Sequence, residues 1–291
     1  MTRIVSVLSG DGIGPEVMAP ALEALPADYV VRRVEAGAER YLATGDLLTD
    51  EDIATISASD ALLFGAIGDP RVPDGVLERG ILLRLRQVLD LYVNLRPFPE
   101  LGITFVRENT EGAYIGAGKR VEDTAIEMSI NTRPAIERCA EYAFGLATRR
   151  SGHVTLVHKR NVMLHAGALW TEVVDDVATR YPEIDLRYEH ADAAAYHLVN
   201  DHSRFDVILT DNLFGDVLSD LAAALAGGLG KAASANLHPD AATRPTRCIG
   251  LFEPVHGSAP DIAGTGRADP TAAIEATHML IQSLEKEPVL T

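Results

Sequence analysis

Two aspartates in the stretch TDNLFGDVLSDLAAAL, residues 210 to 225, stand four positions apart. In a helix starting near Phe214, Asp216 and Asp220 would share one face with their Cβ atoms about 5 to 6 Å apart, and like charges so placed repel each other unless a cation bridges them. Carboxylate oxygens with no sulfur or imidazole nearby suit a hard dication, Mg²⁺ or Mn²⁺. An acidic protein also carries such pairs on faces turned to water. The flanks single this pair out: Val217, Leu218, Leu221 and Leu225 fill the other positions, which predicts a mostly buried helix whose charged edge lines a cleft.

Arginines form a second group. LLRLRQVLDLYVNLRP supplies Arg84, Arg86 and Arg96, and FVRENTEGAY supplies Arg107. The guanidinium fork binds carboxylates in a planar, bidentate way, so two or three arginines converging on one site would capture a dicarboxylate. Taken singly, each is better explained as a solvated surface residue; Arg96 and Arg107 differ because they sit at the junctions of apolar strands. A third group is VHGSAPDIAGTGRADPTAA, residues 255 to 273, a Gly- and Pro-rich loop before a helix from Pro270. Its free backbone N–H groups, with His256 and Asp261, could hold a nucleotide, and by composition it equally describes a long surface loop. In LVHKRNV, Lys159 directly follows an apolar strand, where a lysine is either an ion-pair partner or a general base. His158 and His165 are seven apart with no third ligand at metal spacing and read as structural.

The segment LSGDGIGPEV, residues 8 to 17, follows the apolar run RIVSVL and opens a helix with Pro15 in its first turn. Strand, glycines and helix in that order suit a dinucleotide, and Glu35 lies about 20 residues on. The spacing objects: Gly10, Gly12 and Gly14 read G-x-G-x-G, whereas the Rossmann fingerprint places its third glycine three positions after the second. A tight strand-to-helix turn is the simpler reading.

These groups must be positioned by something. Runs rich in β-branched and aliphatic residues, RIVSVL, DALLFGA, HVTLVH and FDVILT, alternate with stretches of helical period such as 134 to 150 and 163 to 180, the pattern of α/β layers with largely parallel strands. Helix starts are marked at Thr132 with Pro134, and at Thr49 to Asp52. No repeat or linker separates independent domains, so two domains would share chain crossings. The 291 residues are 47% hydrophobic, enough for a sizeable core, and 42 acidic against 26 basic residues give a formal charge of −16. That charge opposes phosphate backbones and anionic membranes, so neither nucleic acid nor membrane is an expected partner, and an anionic substrate would need a local group of arginines. Cys139 and Cys248, the only cysteines, form no C-x-x-C pair, which fits a reducing cytoplasm. The N-terminus offers no signal-peptide core, and the apolar run from Leu221 is cut at Lys231.

Read together, GDGIGPEV, LRP, RENTEGAY, DNLFGD, LSDLAA and VHGSAPDIAG, in this order across residues 10 to 264, resemble the decarboxylating 2-hydroxyacid dehydrogenases that include isocitrate, 3-isopropylmalate, homoisocitrate and tartrate/D-malate dehydrogenases. The resemblance implies a two-lobed α/β fold of the isocitrate/isopropylmalate dehydrogenase type, not a Rossmann fold. It implies a nucleotide-binding lobe of residues 1–95 plus 228–291 and a central lobe, 96–227, with the dimer interface and the metal site. By the same resemblance Arg86, Arg96 and Arg107 hold substrate carboxylates, Tyr114 helps protonate the carbon left by CO₂, and Lys159 acts in deprotonating the hydroxyl. Asp192, Asp216 and Asp220 are the implied metal ligands, with Asp192 and Asp216 also near substrate. Lys159 and Asp192 would serve the neighbouring subunit's cleft, which implies a homodimer with shared sites. His256, Gly257, Ser258, Ala259, Pro260, Asp261 and Ile262 match the nucleotide loop. A carboxylate at Asp261 can accept from ribose hydroxyls and repel a 2′-phosphate, which favours NAD over NADP.

Within the family, VLERGILLRLR, residues 76 to 86, resembles isopropylmalate members, with Glu78, Leu82 and Leu83 as candidates to face a branched side chain, although helix core explains one of the two leucines equally well. RENTEG also fits tartrate/malate and isocitrate members, which keeps a tartrate/D-malate enzyme as the alternative. A catalytically silent regulatory subunit is the alternative from another class, and retention of Lys159, Tyr114, Asp192, Asp216 and Asp220 together argues against it. The chain departs from the family pattern in three places. The connection from Pro99 to Ile103 is very short, Asp269 stands where an adenine-contacting asparagine is usual, and the chain stops early, at Thr291, with SLEKEPVLT reading as a helix end joined abruptly to a later segment.

Overall fold

The computed structural model describes residues 2–285, and residues 286–291 of the SLEKEPVLT stretch lie outside the described residues. The chain divides into two compact units: one takes the chain as far as Leu91 and again from Gly227, and the other is Tyr92–Ala226.

The first unit begins with β1 (Ile4–Gly10), α1 (Gly14–Glu23), β2 (Val30–Arg33), α2 (Ala38–Thr44), α3 (Asp50–Ser57) and β3 (Ala61–Ala66), then a π-helical turn, Glu78–Leu83, that runs into α4 (Arg84–Val88). The second unit contains β4 (Val93–Phe98), β5 (Ile103–Glu108), β6 (Gly118–Val121), β7 (Thr124–Glu127), α5 (Arg133–Ala147), β8 (His153–His158), α6 (Leu164–Ala178), β9 (Asp185–His190), α7 (Ala191–Asn200), β10 (Val207–Thr210) and α8 (Asn212–Leu225). The chain then completes the first unit with β11 (Ala233–Leu237), β12 (Gly250–Pro254) and α9 (Thr271–Glu285).

In the first unit the strands run in the order β2-β1-β3-β12-β11, parallel except for β11 against β12. In the second they run β4-β5-β10-β8-β9, parallel except for β4 against β5. The continuous apolar runs are what parallel strands covered on both faces require, and every residue of β3 is buried. Helix starts follow local chemistry. Thr49 and Asp52 close a reciprocal capping box on α3, and the Thr132 hydroxyl accepts from the Ala135 N–H ahead of α5.

The short connection after β4 is a closed structure. Pro99–Leu101 makes one 3₁₀ turn, Gly102 takes a left-handed φ of 69°, and Phe98 pairs directly with Ile103. Four residues therefore suffice to join β4 and β5 as an antiparallel hairpin.

Helix α8 differs from expectation in two respects. It begins at Asn212, two residues before Phe214, because the Asp211 side chain accepts from the Phe214 N–H at 2.8 Å and caps it there. Its buried face is Gly215, Leu218, Ser219, Ala222 and Ala223, whereas Val217 is 62% and Leu225 40% exposed. The small residues face inward because arginine side chains fill the space beneath them, as described next.

Candidate active site

In the second unit the β4–β5 register places Asn94 opposite Arg107 and Arg96 opposite Phe105. Residues 94, 96 and 107 thus share one face of the sheet, with Arg96 and Arg107 as diagonal neighbours, and both arginines are buried. Helix α8 lies over that face. The Arg107 side chain fits against Gly215, where an added Cβ would come 2.5 Å from Arg107 Cγ.

Asn212 at the start of α8 accepts from Arg107 Nε at 3.0 Å and from its Nη2 at 2.7 Å, so one amide oxygen spans the guanidinium fork. The remaining Arg107 Nη1 donates to Asp216 Oδ1 at 2.5 Å. Arg96 is held by Asn94 Oδ1 at 2.9 Å and Ser219 Oγ at 2.8 Å, and it donates to Asp216 at 3.1 Å and Asp220 at 3.0 Å. Tyr114 completes the cluster: its hydroxyl donates to Asp216 Oδ2 at 2.6 Å, and its ring lies 5.0 Å from the Arg107 guanidinium carbon. The two carboxylates predicted to share a helix face do so, and two buried arginines neutralise their repulsion. Partial desolvation raises the Asp220 carboxyl, against the opposing pull of Arg96.

Lys159 follows the last residue of β8, and Asp192 lies in the first turn of α7 just past β9. Because His158 pairs with His190 at the ends of those strands, the two are brought together, and Lys159 Nζ donates to Asp192 Oδ1 at 2.5 Å. That hydrogen bond holds the Asp192 carboxyl below its usual range. Arg107, Lys159, Asp192 and Asp211 therefore all stand at the carboxyl ends of parallel strands, where α/β sheets open toward ligands. Asp192 is not grouped with Asp216 and Asp220: among the described residues no three His, Cys, Asp or Glu side chains are placed to hold a metal ion together.

The first unit has its own cleft, of about 470 Å³, again beyond strand ends. It is lined by Ile67 and Gly68 after β3, by Leu77 and Glu78, and by Gly257, Ser258, Ala259 and Pro260 after β12. The DGIG turn after β1 ties these loops. Asp11 Oδ1 accepts from the Ala38 N–H at 2.7 Å and Oδ2 from the Gly68 N–H at 3.1 Å, while the Ile13 N–H donates to the Ser258 carbonyl at 2.8 Å. His256 Nδ1 contacts the Gly257 carbonyl, whereas its buried Nε2 has no partner among the described residues. Such an orphaned nitrogen fits a loop that receives a ligand. Ala259 takes a left-handed φ of 40°, and Asp261 is exposed while Ile262 is half-buried. Asp269 accepts from the Thr271 N–H at 3.0 Å and hydroxyl at 2.6 Å at the start of α9, which lowers its carboxyl.

Arg86 belongs to the first unit, where it is buried, 3.5 Å from Glu253. Leu82 packs against the core that includes Leu48, Leu77 and Ile81, so of the leucine pair it is the core residue, and Leu83 is half-buried on the same π-helical turn. Sequence reasoning passed over Asp11, although it stands inside GDGIG, because the glycines drew the argument. It also passed over Asn94, Asn212 and Ser219, whose value lies in holding two arginines and appears only once strand register and helix face are known.

The model of the isocitrate/isopropylmalate dehydrogenase family matches residues 4–288. The chain belongs to this family. It is 52% identical to a 3-isopropylmalate dehydrogenase of Corynebacterium efficiens over 97% of this chain and 88% of that one, and 50% identical to one of Nocardia farcinica over 96% and 88%. Among solved structures it is similar to isocitrate dehydrogenase from Methylococcus capsulatus, with a TM-score of 0.88 and 36% identity, covering 99% of this chain and 87% of that one. It is similar too to a β-decarboxylating dehydrogenase from Thermococcus kodakarensis, at 0.80 and 40%, covering 98% and 84%. The two-lobed α/β fold expected from the motifs is the fold of this family of decarboxylating dehydrogenases.

Proposed function

We propose that the protein catalyses the NAD-dependent oxidative decarboxylation of 3-isopropylmalate to 4-methyl-2-oxopentanoate, a step of leucine biosynthesis, as a homodimer in a reducing cytoplasm. The observation that carries this reading is the cluster of Arg96, Arg107, Tyr114, Asp216 and Asp220 in a chain half identical to enzymes named for that substrate. Arg96 and Arg107 are already desolvated, forked and held by Asn94, Ser219 and Asn212, so they can exchange a carboxylate of Asp216 for one of substrate at little reorganisation cost. Arg86 would add a third contact.

Asp216 and Asp220, with Asp192 of a second copy, would hold Mg²⁺ or Mn²⁺. Their oxygen-only chemistry fits a hard ion, and the side chain of Asp192 is largely exposed and available to a partner. The cleft bounded by residues 257–260, with the orphaned His256 Nε2, fits NAD, with Asp261 on the ribose hydroxyls and Ile262 and Asp269 toward the adenine end. Bound NAD would supply the hydride acceptor for C2, and the dication the positive charge that lowers the hydroxyl pKa and polarises the ketone. Lys159 accepts the hydroxyl proton, Tyr114 delivers a proton to the carbon that CO₂ leaves, and the arginines keep the substrate carboxylates in place. Glu78 and Leu83 would select the branched side chain.

The test is kcat/KM for 3-isopropylmalate, D-malate and isocitrate with NAD and Mn²⁺. A preference for 3-isopropylmalate of at least about tenfold is expected from burying its alkyl group. Preference for D-malate would replace this reading with the tartrate/D-malate one, and no NADH from any of the three would leave a silent subunit.

A further inference from the structure

Lys159 sits between two peptide groups that a single side chain holds. The Tyr188 hydroxyl, on β9, donates to the His158 carbonyl at 2.8 Å and accepts from the Arg160 N–H at 3.1 Å. These belong to the peptide planes immediately before and after Lys159, so one oxygen brackets its Cα. A phenol has one proton to give, and here it goes to a carbonyl that can only accept. His190 Nδ1, 3.0 Å from the same oxygen, must therefore carry the proton of their hydrogen bond. The ring is fixed as well, by the Arg160 guanidinium 3.8 Å above its centre and by His190 edge-on at 5.2 Å. Beyond this bracket the Lys159 carbonyl accepts from the Val162 and Met163 N–H groups at 3.0 and 2.8 Å.

We infer that Tyr188 is a positioning residue for Lys159: its hydroxyl locks the backbone from which the lysine reaches out, and so fixes where Nζ stands relative to Asp192 and to a bound hydroxy acid. The inference rests on the reading of Lys159 as the base. Strand β8 alone does not impose this geometry, because its ladder ends at His158 and Lys159 is the first residue beyond it. A lysine has four rotatable bonds, and a misplacement of about 1 Å at the base can cost on the order of a hundredfold in rate. The charged and titratable groups facing Lys159 are Asp192 from α7, His158 and Arg160 beside it in the chain, and Tyr188 with His190 from β9.

Tyr188→Phe keeps the ring under Arg160 and removes only the bracketing oxygen. The expected result is a kcat for 3-isopropylmalate lowered about ten- to a hundredfold, with KM for substrate and NAD within about twofold. The limb of the kcat–pH profile that reports the base should also move, with the thermal midpoint nearly unchanged. Unchanged kcat and profile overturn the inference, as does a lowered midpoint with an unchanged profile. Arg160→Met removes the stacked guanidinium but keeps the bridging N–H, and is expected to leave the profile alone. If it reproduces the Tyr188→Phe effect, ring packing is what positions the lysine and the inference fails. Lys159→Met separates this from the reading beneath it. An active Lys159→Met enzyme removes the base assignment itself, whereas an inactive one beside a silent Tyr188→Phe removes only the role of Tyr188.

Discussion

His158 and Asp211 are buried side by side, with Nε2 3.5 Å from Oδ2, and burial drives each toward its neutral form: the imidazole down to about 4, the carboxyl up to about 6. Their effects on stability oppose each other. The raised carboxyl contributes stability that is complete below its unfolded value near 4 and is lost as pH rises through about 6, while the depressed imidazole contributes stability that is complete above about 6.5 and is lost as pH falls toward 4. Asp211→Asn keeps a neutral acceptor for the Phe214 N–H and removes only the first of these. The variant should therefore be more stable than the parent by roughly 2 kcal/mol at pH 8, with the difference shrinking as pH falls from about 6 to about 4. Urea unfolding across that range checks it, and a pH-independent difference would refute the assignment. At the same scale, Arg96→Lys loses the fork that reaches Asn94, Ser219, Asp216 and Asp220 together. The KM for 3-isopropylmalate should rise by about tenfold or more while the KM for NAD holds, as initial-rate kinetics would report.

At the scale of elements, helix α8 and the DGIG turn show what spacing reveals and what it conceals. That Asp216 and Asp220 share a face was legible, because it follows from helix geometry alone. Which apolar residues lie inward was not. Val217 and Leu225 are more hydrophobic than Gly215 and Ser219, yet the latter are buried because Arg107 lies against Gly215 and Arg96 bonds Ser219 in the layer beneath. Gly215→Ala should accordingly push Arg107 off Asp216 and Asn212. The expected cost is about 1–3 kcal/mol in unfolding free energy, with a raised KM for the hydroxy acid. The DGIG turn was rightly separated from a Rossmann loop by its glycine spacing, but the reason for that spacing is packing. Gly12 has φ of +57°, and a Cβ there would stand 2.0 Å from the Ser258 carbonyl oxygen, which the neighbouring Ile13 N–H holds. Gly12→Ala should displace the 257–260 loop and weaken NAD binding by about tenfold or more, measurable by nucleotide titration; unchanged affinity would dissociate that loop from the cofactor.

At the scale of the whole molecule, a sequence of strands and helices with continuous apolar runs disclosed the α/β class, and the dispersed motifs disclosed the family. Neither could disclose that within one chain Asp192 meets Lys159 and is not grouped with Asp216 and Asp220, because that contact is made through strand register and not through sequence spacing. The second unit leaves apolar side chains exposed on adjacent helices: Tyr196 and Val199 on α7 and Leu213 and Val217 on α8. In the exposed β6–β7 hairpin, Val121 and Ile126 are open, as are Met128 and Ile130 after it. In the homodimer proposed above, a two-fold partner would cover these side chains with its own copy. A second copy would also bring its Lys159 and Asp192, which the proposed metal site lacks within one chain. Val199→Asp puts a charge on α7 about two helical turns beyond Asp192. Sedimentation should report a dimer for the parent and a monomer for the variant, with the variant's kcat falling as far as its dimer fraction does. A monomeric Val199→Asp protein with full activity would mean that each chain completes its own site, and the donor set for the dication would have to be sought again among the groups around Asp216.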